Sequence, residues 1–248
     1  THLSGTGIPD LGDFLFIPGT GEMTLEPGTR ENPTEGYRSR YSHEKEWASP
    51  NYYAVELSDY GVKAEMTAGL RSGMFRFTYP KSDKAFIMID MNHTLWQNCE
   101  WSNLRMENDS TLTGYKLVKG WGPERHVYFT AVFSMKLKNL RIMQDKKLVY
   151  YNTSRFRSCY EAWGKNLMAC ISFAAEEGEE VIVKTSVSAV STAGATLNLQ
   201  ELNGMTFDAL REKGVCLWEK ELSKYQIEAK PEVKEAFYTA AYRAALHP

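Results

Sequence analysis

Three stretches of the chain concentrate side chains able to bind or turn over a ligand. The first runs from Thr1 to Asp13 and packs hydroxyls, His2, two carboxylates and three glycines into one loop. Gly5 and its neighbouring glycines let backbone N–H groups come close to a ligand, and His2, Ser4 and Thr6 can hydrogen-bond it. The Lys-Ser/Thr ending of a phosphate-binding loop is missing, so phosphate is not the expected ligand. The same string also reads as a plain Gly-rich connection. The second stretch, Tyr41 to Tyr53, offers His43, Glu44 and Glu46 for a metal or a polar substrate. Neighbouring side chains on a strand point to opposite faces, so His43 and Glu44 share a site only where the chain bends. Zinc takes three or four ligands, more than one His-Glu pair provides. An ion-paired strand accounts for this segment equally well. The third, Gly120-Trp121-Gly122, sets a Trp between glycines, where it is either a stacking platform for a sugar ring or a hydrophobic plug at a sheet edge.

No Ser-His-Asp or Cys-His arrangement, nucleophile elbow or dinucleotide fingerprint can be argued from the text. A formal net charge of -2 gives no nucleic-acid footprint and no membrane-surface patch. No apolar run approaches the length of a membrane span. Cys99, Cys159, Cys170 and Cys216 show no C-x-x-C spacing and are too few to staple a chain of this length.

These residues must be positioned by a mainly β framework. From Gly12 to Val190 short strands alternate with turns. Tyr52–Leu57 and Val62–Thr67 flank a hairpin connection at Ser58–Gly61, and Phe75, Phe77 and Tyr79 share one face. Lys138–Gln144 turns through Asp145-Lys146-Lys147 into Leu148–Asn152. About a dozen strands with little helix between them predict an antiparallel β-sandwich, since parallel sheets need crossover helices. The period then becomes helical. Thr206 is the expected N-cap of a helix carrying Phe207, Leu210, Leu217, Trp218 and Leu222. Pro231 opens a second helix, whose stripe of Val233, Ala236, Phe237, Ala240, Ala241 and Ala244 suits close approach by further helices.

Read together, several strings resemble glycoside hydrolase family 92, the exo-acting α-mannosidases. They are T-H-L-S-G-T-G at 1–7 followed by G-D-F-L-F-I-P, S-H-E-K-E-W-A-S-P-N-Y-Y at 42–53, F-R-F-T-Y-P at 75–80, and G-Y-K with G-W-G-P-E-R-H-V-Y-F. V-K-T-S-V-S-A-V-S, W-E-K-E-L-S-K-Y-Q-I-E and F-Y-T-A-A-Y-R-A-A-L-H-P complete the order. The resemblance implies a large N-terminal sandwich over residues 1–192, with its first strand or strands missing. Residues 193–248 would then be linker helices opening a truncated (α/α)6 toroid.

It further implies calcium as cofactor, mannose-containing glycans as substrates, and inversion at the anomeric carbon. Inversion needs an acid and a base roughly 6.5–9.5 Å apart. Those groups and most calcium ligands belong to the toroid, so no catalytic or metal-binding residue is expected here, and the piece alone should be inactive. His2, Ser4, Gly5, Thr6, His43, Glu44, Glu46 and Trp121 are the expected substrate contacts. The partner is the absent helical domain, and the compartment implied is periplasmic or extracellular. Two departures stand out: Asn51 replaces the glycine of the family's P-G-Y-Y, and Trp47 is bulkier than the residue expected there. Two rival readings are a non-catalytic carbohydrate-binding sandwich and a structural module that docks on a helical domain.

Overall fold

The computed structural model describes residues 12–29, 31–32, 35–95, 97–120, 123–151 and 161–245. Among these, fourteen strands form two antiparallel sheets. The smaller runs in the order β1 (Leu15–Thr20), β6 (Ser82–Asp90), β13 (Leu167–Ala175), β10 (Leu140–Gln144), β11 (Lys147–Tyr151). The larger runs β12 (Glu161–Gly164), β7 (Asn98–Asn108), β8 (Thr111–Lys119), β9 (Arg125–Phe133), β14 (Glu179–Ser188), β5 (Ser72–Tyr79), β4 (Val62–Ala68), β3 (Tyr52–Leu57), β2 (Glu46–Ser49). The predicted sandwich is therefore found, with helices at its C-terminal end.

Alternation along the strands explains the core. Val55, Ala64, Phe77 and Val181 are register partners across four strands, and all are buried on the inner face. Ala85, Ile87 and Ile89 of the facing sheet pack into the same cluster. Their neighbours Phe86 and Met88 point the other way and are also buried, because the excursion between β1 and β2 covers that face with Met23, Leu25 and Tyr37. A strand buried on both faces reads as a continuous apolar run, as A-F-I-M-I does here.

The hairpins follow their turn chemistry. Gly61 (φ +64°) closes β3–β4. Asp145 and Lys146 both take positive φ, as the tight turn between β10 and β11 requires.

Three helices follow the last strand: α1 (Thr192–Asn198), α2 (Phe207–Leu222) and α3 (Pro231–Ala244). The Thr206 hydroxyl accepts from the Ala209 N–H, the predicted cap. Phe207 and Leu210 of α2 bury against Met74 on the outward face of the larger sheet. α3 has no buried residue; it touches α2 through Trp218 and Tyr242, whose rings lie 4.7 Å apart. β7, β12 and α1 were not anticipated. β12 is four residues long, β7 breaks its alternation with a bulge between Cys99 and Trp101, and α1 lacks an apolar stripe.

Candidate functional site

The second sequence candidate folds as a bend followed by an edge strand. His43–Lys45 make one 3₁₀ turn, capped by Ser42, whose Oγ accepts from the Glu44 N–H. The bend brings His43 to Glu46 rather than to Glu44: His43 Nδ1 lies 2.6 Å from Glu46 Oε2. Tyr53 donates to the other Glu46 oxygen at 2.6 Å. Those hydrogen bonds hold the Glu46 carboxyl below its usual range, and burial with the same contact pushes the Tyr53 hydroxyl up. His43 and Glu44 themselves are exposed. His43 and Glu46 thus form one polar pair at the sheet edge, and Glu44 stands apart from it.

Trp47 points to the opposite face and lines an open groove of about 590 Å³ with Ser49, Tyr52, Lys63 and Arg211. Lys63 Nζ sits 6.0 Å above the Trp47 ring, and the Arg211 guanidinium 3.7 Å above Tyr52. Tyr52 donates at 2.7 Å to Glu65, which is 3% exposed. Burial alone would raise the Glu65 carboxyl, but hydrogen bonds from Arg76 and Tyr52 and the charges of Arg76 and Lys63 outweigh it, holding the pKa at about 2. Burial and the Glu65 contact push Tyr52 up to about 12. An aromatic plate flanked by two cations can stack and hydrogen-bond a polyhydroxy ligand.

A second polar cluster lies where the first loop joins β1. Lys116 on β8 is completely buried and its Nζ donates to the backbone carbonyls of Asp13 (2.8 Å) and His93. Burial lowers its pKa. Arg125 at the start of β9 grips the Asp13 carboxylate with two bonds, of 2.8 and 2.6 Å. A side chain on Gly12 would displace the Leu95 side chain. Tyr37 and the Asn92 N–H bind the two oxygens of Asp90 nearby, at 2.7 and 2.8 Å. Together Lys116 and Arg125 fix the backbone that leads directly into residues 1–11.

His2, Ser4, Gly5, Thr6 and Trp121 lie outside the described residues. The sequence reading missed Lys63, Lys116, Arg125 and Arg211. Each is a single cation on a strand or helix, and only the fold reveals its partner. Among the described residues no three His, Cys, Asp or Glu side chains converge to hold a metal, and no helix is long and apolar enough to cross a membrane. Cys99, Cys170 and Cys216 are free thiols, and Cys159 lies outside the described residues.

A two-sheet sandwich running into helices, with polar loops gathered at its edges, is the architecture that the resemblance implied. The family model described as the glycosyl hydrolase family 92 N-terminal domain matches residues 1–188, and that of the family 92 catalytic domain matches residues 194–248. The chain belongs to glycosyl hydrolase family 92.

Among solved structures, the family GH92 α-mannosidase BT3965 from Bacteroides thetaiotaomicron is 79% identical with a TM-score of 0.95, over 100% of this chain and 33% of that one. The same protein in complex with mannoimidazole gives a TM-score of 0.96. The GH92 family glycosyl hydrolase ccman5 is 26% identical with a TM-score of 0.79, covering 96% of this chain and 33% of its own. The GH92 inverting mannosidase BT2199 from Bacteroides thetaiotaomicron VPI-5482 is 20% identical (TM-score 0.76, covering 95% and 30%) and shares the fold. The chain therefore spans about a third of the length of these relatives. No curated protein matches it.

Proposed function

We propose that this chain is the N-terminal sandwich, residues 1–192, and the first helices, residues 193–248, of an exo-α-mannosidase that releases terminal mannose from glycans. One observation carries the reading: 79% identity over the whole chain to a protein described as an α-mannosidase. The sandwich holds the sugar-facing loops, and the acid and base sit on the helical domain that α2 and α3 begin. In this reading the apolar face of α3, exposed at Val233 and half-buried at Phe237, meets later helices of that domain. The Thr1–Gly7 loop, rooted by Lys116 and Arg125, contacts the terminal mannose through His2, Ser4 and Thr6. Trp121 contributes from the loop between β8 and β9, and the His43–Glu46 pair supports the loop edge.

Calcium and inversion belong to the proposal through the family. The described residues offer no cluster of ligands for a cation. The family resemblance assigns most of the calcium ligands to the remainder of the helical domain, where several carboxylate oxygens are needed. Export to the periplasm or medium fits a glycan-trimming role.

The test is mannose release by the intact protein that carries this chain. It should liberate mannose from α-linked mannobiose and lose that activity to EDTA, with recovery on calcium. The first sugar released should be the β-anomer by proton NMR. No release from any α-mannoside would overturn the substrate class; the α-anomer would overturn inversion; activity indifferent to EDTA would overturn calcium.

A further inference from the structure

The outward face of the larger sheet is covered by helices over only part of its width. α2 lies over β4 and β5, and α1 over β9 and β14, where Thr196 meets Thr130 at 2.9 Å and Ser186 donates to the Ala195 carbonyl. Beyond α1, the register sets Trp163, Asn103, Tyr115 and Tyr128 side by side across β12, β7, β8 and β9. Register partners share a face, so these four point outward together. The adjacent outward row carries Trp101 and His126.

The rings are spaced like units of one platform. The Tyr115 centroid lies 4.9 Å from Tyr128, 5.9 Å from His126 and 6.2 Å from Trp163. Tyr115 Oη and His126 Nδ1 are 2.9 Å apart, which holds two of the rings in place. Trp163 and Trp101 are 53% and 44% exposed. Arg105 is shared between two carboxylates, Glu107 at 3.3 Å and Glu161 at 3.6 Å, and Glu161 also takes the Asn103 amide at 2.9 Å.

We infer that this row of rings is a binding surface for a neutral glycan chain. The electron-rich faces of aromatic rings attract polarised C–H groups, and a pyranose presents such groups on its flat face with hydroxyls at the rim. Ring spacings of 4.9–6.2 Å let neighbouring rings contact one sugar or two linked ones. The hydroxyl of Tyr128 and the imidazole of His126 lie at the platform's rim, where sugar hydroxyls need partners. Arg105, tied to two carboxylates, gives an anionic polymer no advantage. The same two strands, β8 and β9, carry Lys116 and Arg125, which hold the chain at Asp13. The inference rests on the proposed function for the class of ligand alone.

The test is affinity electrophoresis of the intact protein in cold gels containing a soluble α-mannan. Mannose release from a p-nitrophenyl α-mannoside is assayed on the same preparations. Wild-type protein should be retarded. Trp163→Ala and Tyr115→Ala should each weaken retardation at least tenfold, Trp163→Phe should keep most of it, and the small-substrate kcat/KM should not change. Equal retardation of wild type and Trp163→Ala overturns the inference, as does a change of oligomeric state in Trp163→Ala without a change in retardation, which would make the platform a protein interface. If the small substrate is not hydrolysed but retardation still depends on Trp163, the mannosidase reading fails and the platform stands.

Discussion

Arg76 on β5 meets both carboxylate oxygens of Glu65 on β4, Nε and Nη2 each at 2.9 Å, while its Nη1 reaches Asp208 at the start of α2 at 3.1 Å. Its guanidinium also lies 4.3 Å above the Phe207 ring. One side chain therefore joins two strands of the sandwich to the helix that leads out of it. Glu65 is almost wholly buried, so its charge depends on this partner. Replacing Arg76 with Met should destabilise the fold by up to roughly 3–5 kcal/mol, because the buried carboxylate keeps only Tyr52 and Lys63 as partners. The double variant with Glu65→Gln should recover much of that loss. Urea unfolding of the four proteins in a double-mutant cycle checks both statements.

The same carboxyl sets an acid limb. Its pKa of about 2 is depressed from an ordinary 4.5, so the stabilisation is fully present above pH 4.5 and is lost as pH falls towards 2. Glu65→Gln should flatten this limb relative to wild type, and its stability deficit should shrink as the pH is lowered through that window. Thermal unfolding between pH 2 and 6 measures the difference. A constant deficit across the range would show that Glu65 is not depressed.

Lys116 is a buried ammonium with backbone carbonyls as its described hydrogen-bond partners. Lys116→Met keeps the stem but leaves those two carbonyls without their donor, at a cost of roughly 1–3 kcal/mol each. In the intact protein we expect a second effect. Asp13→Asn weakens the Arg125 clamp at the root of the Thr1–Gly7 loop and should lower kcat/KM for a mannoside on the order of 10-fold or more, since small displacements of a binding loop are costly. Unchanged kinetics in a folded Asp13→Asn protein would separate this clamp from the sugar site.

Asn51 takes φ +62° in the turn between β2 and β3, and its amide donates to Thr67 Oγ1 at 3.0 Å and to the Leu210 carbonyl of α2 at 3.4 Å. It rests in a notch left by Gly214, where a Cβ would collide with the Asn51 amide. Gly214→Ala ordinarily stabilises a helix by about 1 kcal/mol through propensity. Here the collision should dominate and destabilise by roughly 1–3 kcal/mol. In an Asn51→Gly background the same substitution should become neutral or favourable. Melting temperatures of the three variants decide the sign.

Asn51 also shows what could be read from the text. The departure from P-G-Y-Y keeps the turn, because Asn tolerates the left-handed backbone that glycine would adopt, and its amide gains a partner on α2. The sandwich was legible because inward residues such as Phe77 and Tyr79 alternate strictly with outward ones. The capped helix at Thr206 was legible because its cap is local. β12 and α1 were not, because four residues and a short Ala-Gly turn carry too little period to recognise. At the candidate site, His43 could be picked out by type. Its pairing with Glu46 instead of Glu44 needed the 3₁₀ turn, which no residue pattern announced. Lys116 and Arg125 were invisible as a pair, since their common partner Asp13 lies more than a hundred residues away.

Each edge of the larger sheet ends in a four-residue strand, β2 on one side and β12 on the other, although the strands between them reach eleven residues. Among the described residues the smaller sheet is bounded by β1, which carries Pro18, and by β11, which opens on Lys147 next to Lys146. An edge that is short, interrupted by proline or bordered by charge is a poor template for a strand from another molecule. Among the described residues, borders cut this way disfavour the docking of a foreign strand and with it fibrillar self-assembly.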